Sequence, residues 1–182
     1  DGLKQSIAAG GSAANTINGI ANVGISCSFI GKISNDRFGE YYREDMVKNR
    51  IEPILLKGKA QTGRATVFIS KDSERTFGTY LGSAIEMVPD DLTPEMFEGY
   101  SFFHIEGYLV QNQDLIRKAM QLAHEKGVKI SLDLASYNVV EANRGFLKEM
   151  IDKYVDILFA NEEEAKAFTG KSPEESLHEF AK

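Results

Sequence analysis

Two glycines lead directly into a predicted helix near the start of the chain, in residues 9–15 (AGGSAAN). Glycine lets the backbone approach a ligand closely, and the first turn of a helix has N–H groups without partners inside the helix. Asn15 adds an amide that both donates and accepts hydrogen bonds. Gly10, Gly11 and Asn15 therefore suit a hydroxylated ligand. A tight turn whose glycines only permit positive φ is an equally good interpretation.

A second polar segment, residues 161–164 (NEEE), follows a predicted strand and opens a predicted helix. Asn161 and Glu164 lie three residues apart and can face the same way. Amide and carboxylate oxygens there would suit a hydrated Mg²⁺ close to phosphate. The simpler alternative is a helix N-cap followed by acidic residues that the helix dipole favours.

Carboxylates also end other predicted strands. In open α/β sheets ligands bind at the carboxyl ends of strands. Glu106 and Asp133 are therefore candidates for hydrogen bonds to sugar hydroxyls; alternatively, they are simply solvated at the sheet edge.

Asp36 follows the strand predicted at residues 27–33 and is interpreted as the N-cap of the next helix. His104 is interpreted as a histidine of the sheet or core rather than a base.

Composition excludes several classes of protein. The chain has 182 residues, with 21 Lys plus Arg against 27 Asp plus Glu and a net charge of −6, which disfavours a nucleic-acid partner. Its single cysteine, Cys27, rules out an internal disulfide framework and suits a reducing compartment. The sequence contains no apolar run long enough to span a membrane. We therefore expect a cytoplasmic protein with neither a membrane nor a nucleic-acid partner.

The elements that must position these residues follow from hydrophobic periodicity. The first half predicts helix 13–23, strand 27–33, helix 37–49 and strands 51–56, 65–70 and 75–80, with residues 71–74 as a hairpin turn. The second half predicts strands 102–106, 128–134 and 156–160 alternating with helices 112–126, 140–154 and 162–169. This alternation indicates an α/β fold with a parallel sheet covered by helices.

We expect one α/β domain over residues 1–182, with the hairpin as an inserted flap. Asp1 opens the chain with no strand before the glycine pair, and a helix capped by Ser172 begins shortly before the end. Both features suggest a piece of a longer protein.

Together these motifs resemble the ribokinase-like, or PfkB, family of carbohydrate and nucleoside kinases. The resemblance is carried by residues 9–16 (AGGSAANT), Gly31, residues 36–40 (DRFGE), Thr62, Gly63, residues 65–70, Arg75 and residues 156–165 (DILFANEEEA). It implies a three-layer αβα fold with a mostly parallel sheet, here incomplete, and a small β lid. The lid strands would lie within residues 1–10 and 51–82, and a homodimer would form through them.

The resemblance also implies residue roles. Gly10, Gly11 and Asn15 would hold sugar hydroxyls, and Glu106 would contact the sugar. Asn161 and Glu164 would lie near phosphate, with Glu164 reaching Mg²⁺ indirectly through water. The cofactors would be ATP and Mg²⁺, and the reaction a transfer of the γ-phosphoryl group to a hydroxyl of a sugar or nucleoside.

The sequence departs from the family pattern in one respect that affects activity. The signature Asp-Thr-x-Gly-Ala-Gly-Asp, whose last Asp is the family's catalytic base, does not occur in these residues, and Asp1 lies too close to the glycines to be assigned as the family's early acidic ligand. We therefore expect the substrate-binding part of a kinase, with no catalytic residue in this chain and little or no activity alone.

The identity of the substrate stays open between sugar and nucleoside. Residues 131–136 (SLDLAS) and 156–165 are somewhat closer to the adenosine-kinase branch. The alternative function is a non-catalytic domain that binds a polyol or nucleoside for regulation. A dinucleotide-binding oxidoreductase is disfavoured, because no Gly-x-Gly-x-x-Gly follows an opening strand.

Overall fold

The computed structural model describes residues 6–181. By internal contacts the chain divides into two compact units, Asp1–Met87 and Val88–Lys182, here called the first and the second unit. The prediction of one domain over the whole chain stays a prediction. No helix among the residues described is both long and apolar enough to cross a membrane.

The first unit is built on two parallel strands. Its regular elements are α1 (Ser12–Asn22), β1 (Cys27–Ile33), α2 (Arg37–Lys48) and β2 (Ile51–Lys57). The strands pair from Cys27 opposite Ile51 to Ile33 opposite Lys57. Ala14, Met46 and Ile51 form its buried core, which joins both helices to β2.

An antiparallel hairpin follows β2 in the first unit. β3 (Arg64–Ile69) pairs with β4 (Arg75–Tyr80), as the sequence predicted, and a short 3₁₀ helix, Gly82–Glu86, follows. Every residue of both hairpin strands is exposed. Residues 51–57 pair with β1 rather than with the hairpin, residues 6–10 form no regular structure, and residues 1–5 lie outside the described part. The assignment of a lid therefore stays a prediction.

The second unit contains three parallel strands in the order β5-β6-β7. Its elements are 3₁₀ helices at Pro89–Asp91 and Pro94–Phe97, β5 (Phe102–Glu106), a 3₁₀ helix at Gly107–Gln111, α3 (Gln113–Glu125), β6 (Lys129–Asp133), α4 (Tyr137–Tyr154), β7 (Ile157–Phe159), α5 (Glu162–Thr169) and α6 (Pro173–Phe180). Each strand is followed by a helix, as the sequence predicted.

The core of the second unit lies around β6. Ile130 and Leu132 have no solvent exposure, and neither do Met120 of α3 and Leu147 of α4. Burying each such side chain contributes roughly 1.5–3 kcal/mol, so packing fixes the position of β6 and of the residues at its carboxyl end.

Helix ends agree with the sequence where caps are strong. Ser172 caps α6, as the sequence predicted, and forms a capping box with Glu175. The start of α4 differs, because the helix begins at Tyr137 and not at Val140. Ser136 caps it by accepting a hydrogen bond from the N–H of Val139.

Candidate functional site

The carboxyl ends of the three parallel strands lie along one edge of the second unit's sheet. In the register of β5 and β6, Glu106 lies opposite Asp133, and in that of β6 and β7, Asp133 lies opposite Phe159. Asn161 follows two residues later as the N-cap of α5. The structure thus places Glu106, Asp133 and Asn161 at the edge where ligands of α/β proteins bind.

Glu106 is buried, with 7% of its surface exposed. Its Oε1 lies 3.4 Å from Nε2 of His104, whose Nδ1 lies 2.9 Å from Oγ of Ser131. The interpretation of Glu106 as a solvated carboxylate is therefore wrong. Sequence reasoning missed the partnership with His104, although residues two apart on a strand share a face and the spacing was visible.

Gly107 lets the ends of β5 and β6 come together. A Cβ atom at this position would lie 2.6 Å from the carbonyl oxygen of Asp133, closer than packed atoms allow. The Asp133 carboxylate accepts a hydrogen bond of 2.7 Å from the N–H of Ala135, and the Tyr108 hydroxyl donates to the Ala135 carbonyl at 3.2 Å. Asp133 therefore fixes the backbone that follows β6 through its hydrogen bond with Ala135.

Asn161 and Glu164 form a capping box at the start of α5. The Asn161 Oδ1 accepts from the N–H of Glu164 at 2.9 Å, and the carboxylate accepts from the backbone N–H and Nδ2 of Asn161 at 3.0 and 2.7 Å. Glu164 has only 4% of its surface exposed. The capping interpretation is confirmed, and any contact with phosphate or metal would be made by a pair already held in place.

The fit of this pair to Mg²⁺ depends on the acceptor sites that remain on the Glu164 carboxylate. A carboxylate has about four acceptor sites, so the bonds from Asn161 leave capacity for a metal-bound water. Within residues 6–181 no group of three or more His, Cys, Asp or Glu side chains could hold a metal ion directly. The residues therefore fit the expected indirect contact and do not supply a ligand set of their own.

The glycine pair precedes α1 in the first unit. Gly11 is the N-cap, with φ 113° and no side-chain cap, and its carbonyl accepts from the N–H of Asn15 at 2.9 Å. That φ favours glycine, so the turn interpretation holds for Gly11. Gly10 has no positive φ, and a Cβ atom there would meet no described atom within 4 Å. Among the described residues, local geometry therefore does not require glycine at position 10.

Asp36 caps α2, as the sequence predicted, and also binds a distant segment. One carboxylate oxygen accepts from the N–H of Gly39 at 2.9 Å and the other from the N–H of Thr62 at 2.8 Å. Burial alone would raise the pKa of the Asp36 carboxyl, but hydrogen bonds from the backbone of Thr62 and Gly39 and from the Thr62 hydroxyl bring this pKa below its usual value. Sequence reasoning missed the link to Thr62.

The base of the hairpin is closed by Glu86. Its two carboxylate oxygens accept from the N–H groups of Lys59 at 2.7 Å and Ala60 at 3.0 Å. The carbonyl oxygen of Gln61 accepts from the N–H of Ser83 at 2.9 Å. The two chain segments that enter and leave the hairpin are therefore fixed to each other.

Cys27 carries no sign of chemistry. Burial raises the pKa of its thiol, so the reactive thiolate is disfavoured. The thiol contacts the carbonyl oxygen of Ile17 at 3.8 Å, and a free cysteine in such surroundings packs as a small apolar residue.

Parallel strands followed by helices place the chain among α/β proteins, and comparison with known proteins specifies the class. The model of the pfkB family of carbohydrate kinases matches residues 3–182. The chain therefore belongs to this family, as the sequence motifs predicted.

Individual relatives are kinases of two substrate classes. The chain is 29% identical to a probable fructokinase-2 from Arabidopsis thaliana over 133 residues, which is 69% of this chain and 40% of the relative. It is 26% identical to a guanosine-inosine kinase from Escherichia coli K12 over 175 residues, which is 90% of this chain and 40% of the relative. It thus spans about two fifths of the length of these relatives.

A solved structure supports the same fold. The adenosine kinase from Sinorhizobium meliloti is 32% identical, with a TM-score of 0.83 over 94% of this chain and 55% of that chain. The predicted fold class, ribokinase-like α/β, is confirmed by this likeness.

Proposed function

We propose that the protein to which this chain belongs transfers the γ-phosphoryl group of ATP to a hydroxyl of a sugar or nucleoside. The observation that carries the proposal is the match of residues 3–182 to a family of carbohydrate kinases. The relatives named above, a probable fructokinase and a guanosine-inosine kinase, support both substrate classes.

The substrate side of this proposal rests on Gly10, Gly11, Asn15 and Glu106. The open backbone at Gly10 and the first turn of α1 offer N–H donors, and the exposed Asn15 adds its amide. The carboxylate of Glu106 is an acceptor for ligand hydroxyls, because an ionised carboxylate offers about four acceptor sites.

The phosphate side rests on Asn161 and Glu164. When bound, Mg²⁺ neutralises charge that develops on the phosphates. The capping box fixes the Glu164 carboxylate at the start of α5, where it would accept a hydrogen bond from a metal-bound water. The N-terminus of a helix also favours anions.

Catalysis would need a base that this chain does not supply. The motif that ends in the family's catalytic Asp is absent from the 182 residues. The chain would then be the substrate-binding part of a single ribokinase-like domain, inactive alone, with its hairpin as part of a lid through which two copies pair. The proposed location of the protein is the cytoplasm.

A second candidate is a non-catalytic domain that binds a polyol or nucleoside for regulation. The missing base motif favours it, because binding of such a ligand needs no base. Phosphorylation of fructose or adenosine by the purified chain with Mg·ATP would contradict both this candidate and the predicted inactivity.

The proposal is tested by calorimetric titration of the folded chain with fructose, adenosine and Mg·ATP in separate experiments. We expect one of the two hydroxylated ligands to bind and Mg·ATP to give no response. Binding of Mg·ATP without either ligand would contradict the assignment of the glycine pair to substrate.

Two glycine variants test whether the ligand binds at Gly10. Gly10→Ala should weaken binding by about tenfold or more, since 1.4 kcal/mol of lost contact has that effect. Gly19→Ala is the matched control, because Gly19 lies within α1 and a Cβ atom there also meets nothing within 4 Å. Equal binding by both variants would remove Gly10 from the site.

A further inference from the structure

Three side chains form a continuous contact along the sheet of the second unit. His104 and Ser131 occupy opposite positions in the β5–β6 register, and Glu106 follows two residues after His104. The His104 Nδ1 lies 2.9 Å from Ser131 Oγ, and its Nε2 lies 3.4 Å from Glu106 Oε1. The ring therefore connects a hydroxyl on β6 with the carboxylate at the end of β5.

The two groups that the His104 ring contacts, the Ser131 hydroxyl and the Glu106 carboxylate, determine which ring nitrogen carries the proton. An ionised carboxylate only accepts hydrogen bonds, so a lone pair on Nε2 would face the carboxylate unfavourably and an N–H group faces it favourably. In the neutral ring Nδ1 is then the acceptor, and the Ser131 hydroxyl, which can rotate, donates to it.

The surroundings hold the ring in this position. The His104 side chain has 21% of its surface exposed and that of Glu106 has 9%. The ring also meets Phe159 of β7 edge to face, with centroids 6.1 Å apart. Reduced contact with water strengthens the attraction between the ring N–H and the carboxylate.

We propose that His104 is a positioning residue, which Ser131 holds in the Nε2–H form so that it fixes the orientation of the Glu106 carboxylate. The inference rests on the proposed function, in which Glu106 accepts a hydrogen bond from a ligand hydroxyl. A carboxylate held in one orientation loses less conformational freedom when the ligand binds, so affinity rises without any contact between His104 and the ligand.

The tautomer of the His104 ring is measured directly by NMR of the ¹⁵N-labelled chain at mildly alkaline pH. We expect the Nε2–H form of His104 to predominate in the wild type. It should fall in Ser131→Ala, which removes the donor to Nδ1, and in Glu106→Gln, which removes the carboxylate. Predominance of the Nδ1–H form in the wild type, or no change in either variant, would overturn the inference.

Binding of fructose or adenosine, whichever the wild type binds, gives a second test. His104→Phe keeps a ring of similar shape but loses both the contact with Ser131 and the N–H group that faces Glu106, whereas His104→Gln keeps an N–H group on a side chain of similar length. We expect about threefold to tenfold weaker binding in His104→Phe and recovery in His104→Gln, with urea unfolding measured for both. Similar losses in both variants would indicate only a packing role and would contradict the inference.

The two proposals fail in different ways. If Glu106→Gln binds the ligand as the wild type does, the role of Glu106 in substrate binding is wrong. If Glu106→Gln loses binding while His104→Phe does not, only the positioning role of His104 is wrong. If the wild type binds neither ligand, the proposed substrate role fails, and the NMR result alone decides whether His104 holds Glu106.

Discussion

The carboxylate of Asp36 accepts a hydrogen bond from the backbone N–H of Thr62, 26 residues along the chain, at a distance of 2.8 Å. The same carboxylate caps α2 through the N–H of Gly39. Thr62 in turn accepts from the N–H of Ser34 through its hydroxyl oxygen at 2.9 Å. One aspartate therefore joins the turn between β1 and α2 to the segment that leads into the hairpin.

Replacement of Asp36 should destabilise the first unit. In Asp36→Ala the helix loses its cap, which costs about 1 kcal/mol, and the buried Thr62 loses the acceptor for its N–H, which costs about 1–3 kcal/mol more. Asp36→Asn retains one oxygen for the cap and should lose less. Urea unfolding of the three proteins tests the order, and equal stability of Asp36→Ala and the wild type would contradict the role of the link.

The contribution of Asp36 should also depend on pH. Its pKa is lower in the folded protein than its ordinary value, because hydrogen bonds favour the charged form over the opposing effect of burial. The stabilisation is thus fully present above about pH 4, the ordinary value for Asp, and is lost as the pH falls through the folded value. The stability difference between wild type and Asp36→Asn should shrink on acidification below pH 4. A stability difference that stays constant with pH would show that the negative charge of Asp36 does not contribute.

Two helical glycines of the first unit should respond in opposite ways to alanine. A Cβ atom on Gly39 would overlap the Ser34 carbonyl oxygen and lie 2.9 Å from Thr62 Oγ1, whereas one on Gly19 would meet nothing within 4 Å. We expect Gly39→Ala to cost about 1–3 kcal/mol from overpacking. Gly19→Ala should stabilise the protein by up to about 1 kcal/mol through helix propensity. Thermal and urea unfolding of the two variants check the contrast.

The capping box of α5 gives a prediction about charge. Asn161→Asp keeps a good N-cap but replaces the amide that donates to Glu164 at 2.7 Å with a second carboxylate. The repulsion should make this variant less stable at pH 7 than Asn161→Ser, which also caps the helix without adding charge. Urea unfolding of both variants at pH 7 measures the difference, and equal stability would contradict the electrostatic explanation.

The proposed pairing of two copies through the hairpin can be tested in solution. Val67 and Phe77 are cross-strand partners and remain 42% and 58% exposed. The double variant Val67→Thr/Phe77→Thr removes apolar surface but keeps side chains that favour β-strands. At equal concentration it should form fewer dimers than the wild type, so light scattering should give a lower average molar mass. Leu177→Ala, which removes an exposed apolar side chain from α6, is the control. A wild-type chain that is monomeric at all concentrations would contradict the pairing.

Local sequence patterns predicted the elements well because their causes are local. The alternation of strands and helices after Phe102, the hairpin turn and the caps at Asp36 and Ser172 all depend on residues within a few positions of each other. The start of α4 was placed three residues late, because the cap formed by Ser136 outweighs the weak apolar periodicity of residues 137–139.

Contacts between distant segments were beyond local patterns. The bond from Thr62 to Asp36 and the closure of the hairpin by Glu86 depend on how strands and turns meet in space. The contact between His104 and Glu106 is different, because the spacing of two on a strand was visible in the sequence. The position of Ser131 beside the His104 ring, in contrast, follows from the register of β5 with β6 and was not visible in the sequence.

The register of β5 also determines which changes in chain length the protein tolerates. His104 and Glu106 share one face of the strand because they are two residues apart, so a single inserted residue just before His104 would turn both toward the opposite face. An added residue in the exposed turn between Ile69 and Arg75 leaves the pairing of β5 untouched. Insertions and deletions should therefore be found in the hairpin turn among variants that keep the fold, and be rare in β5.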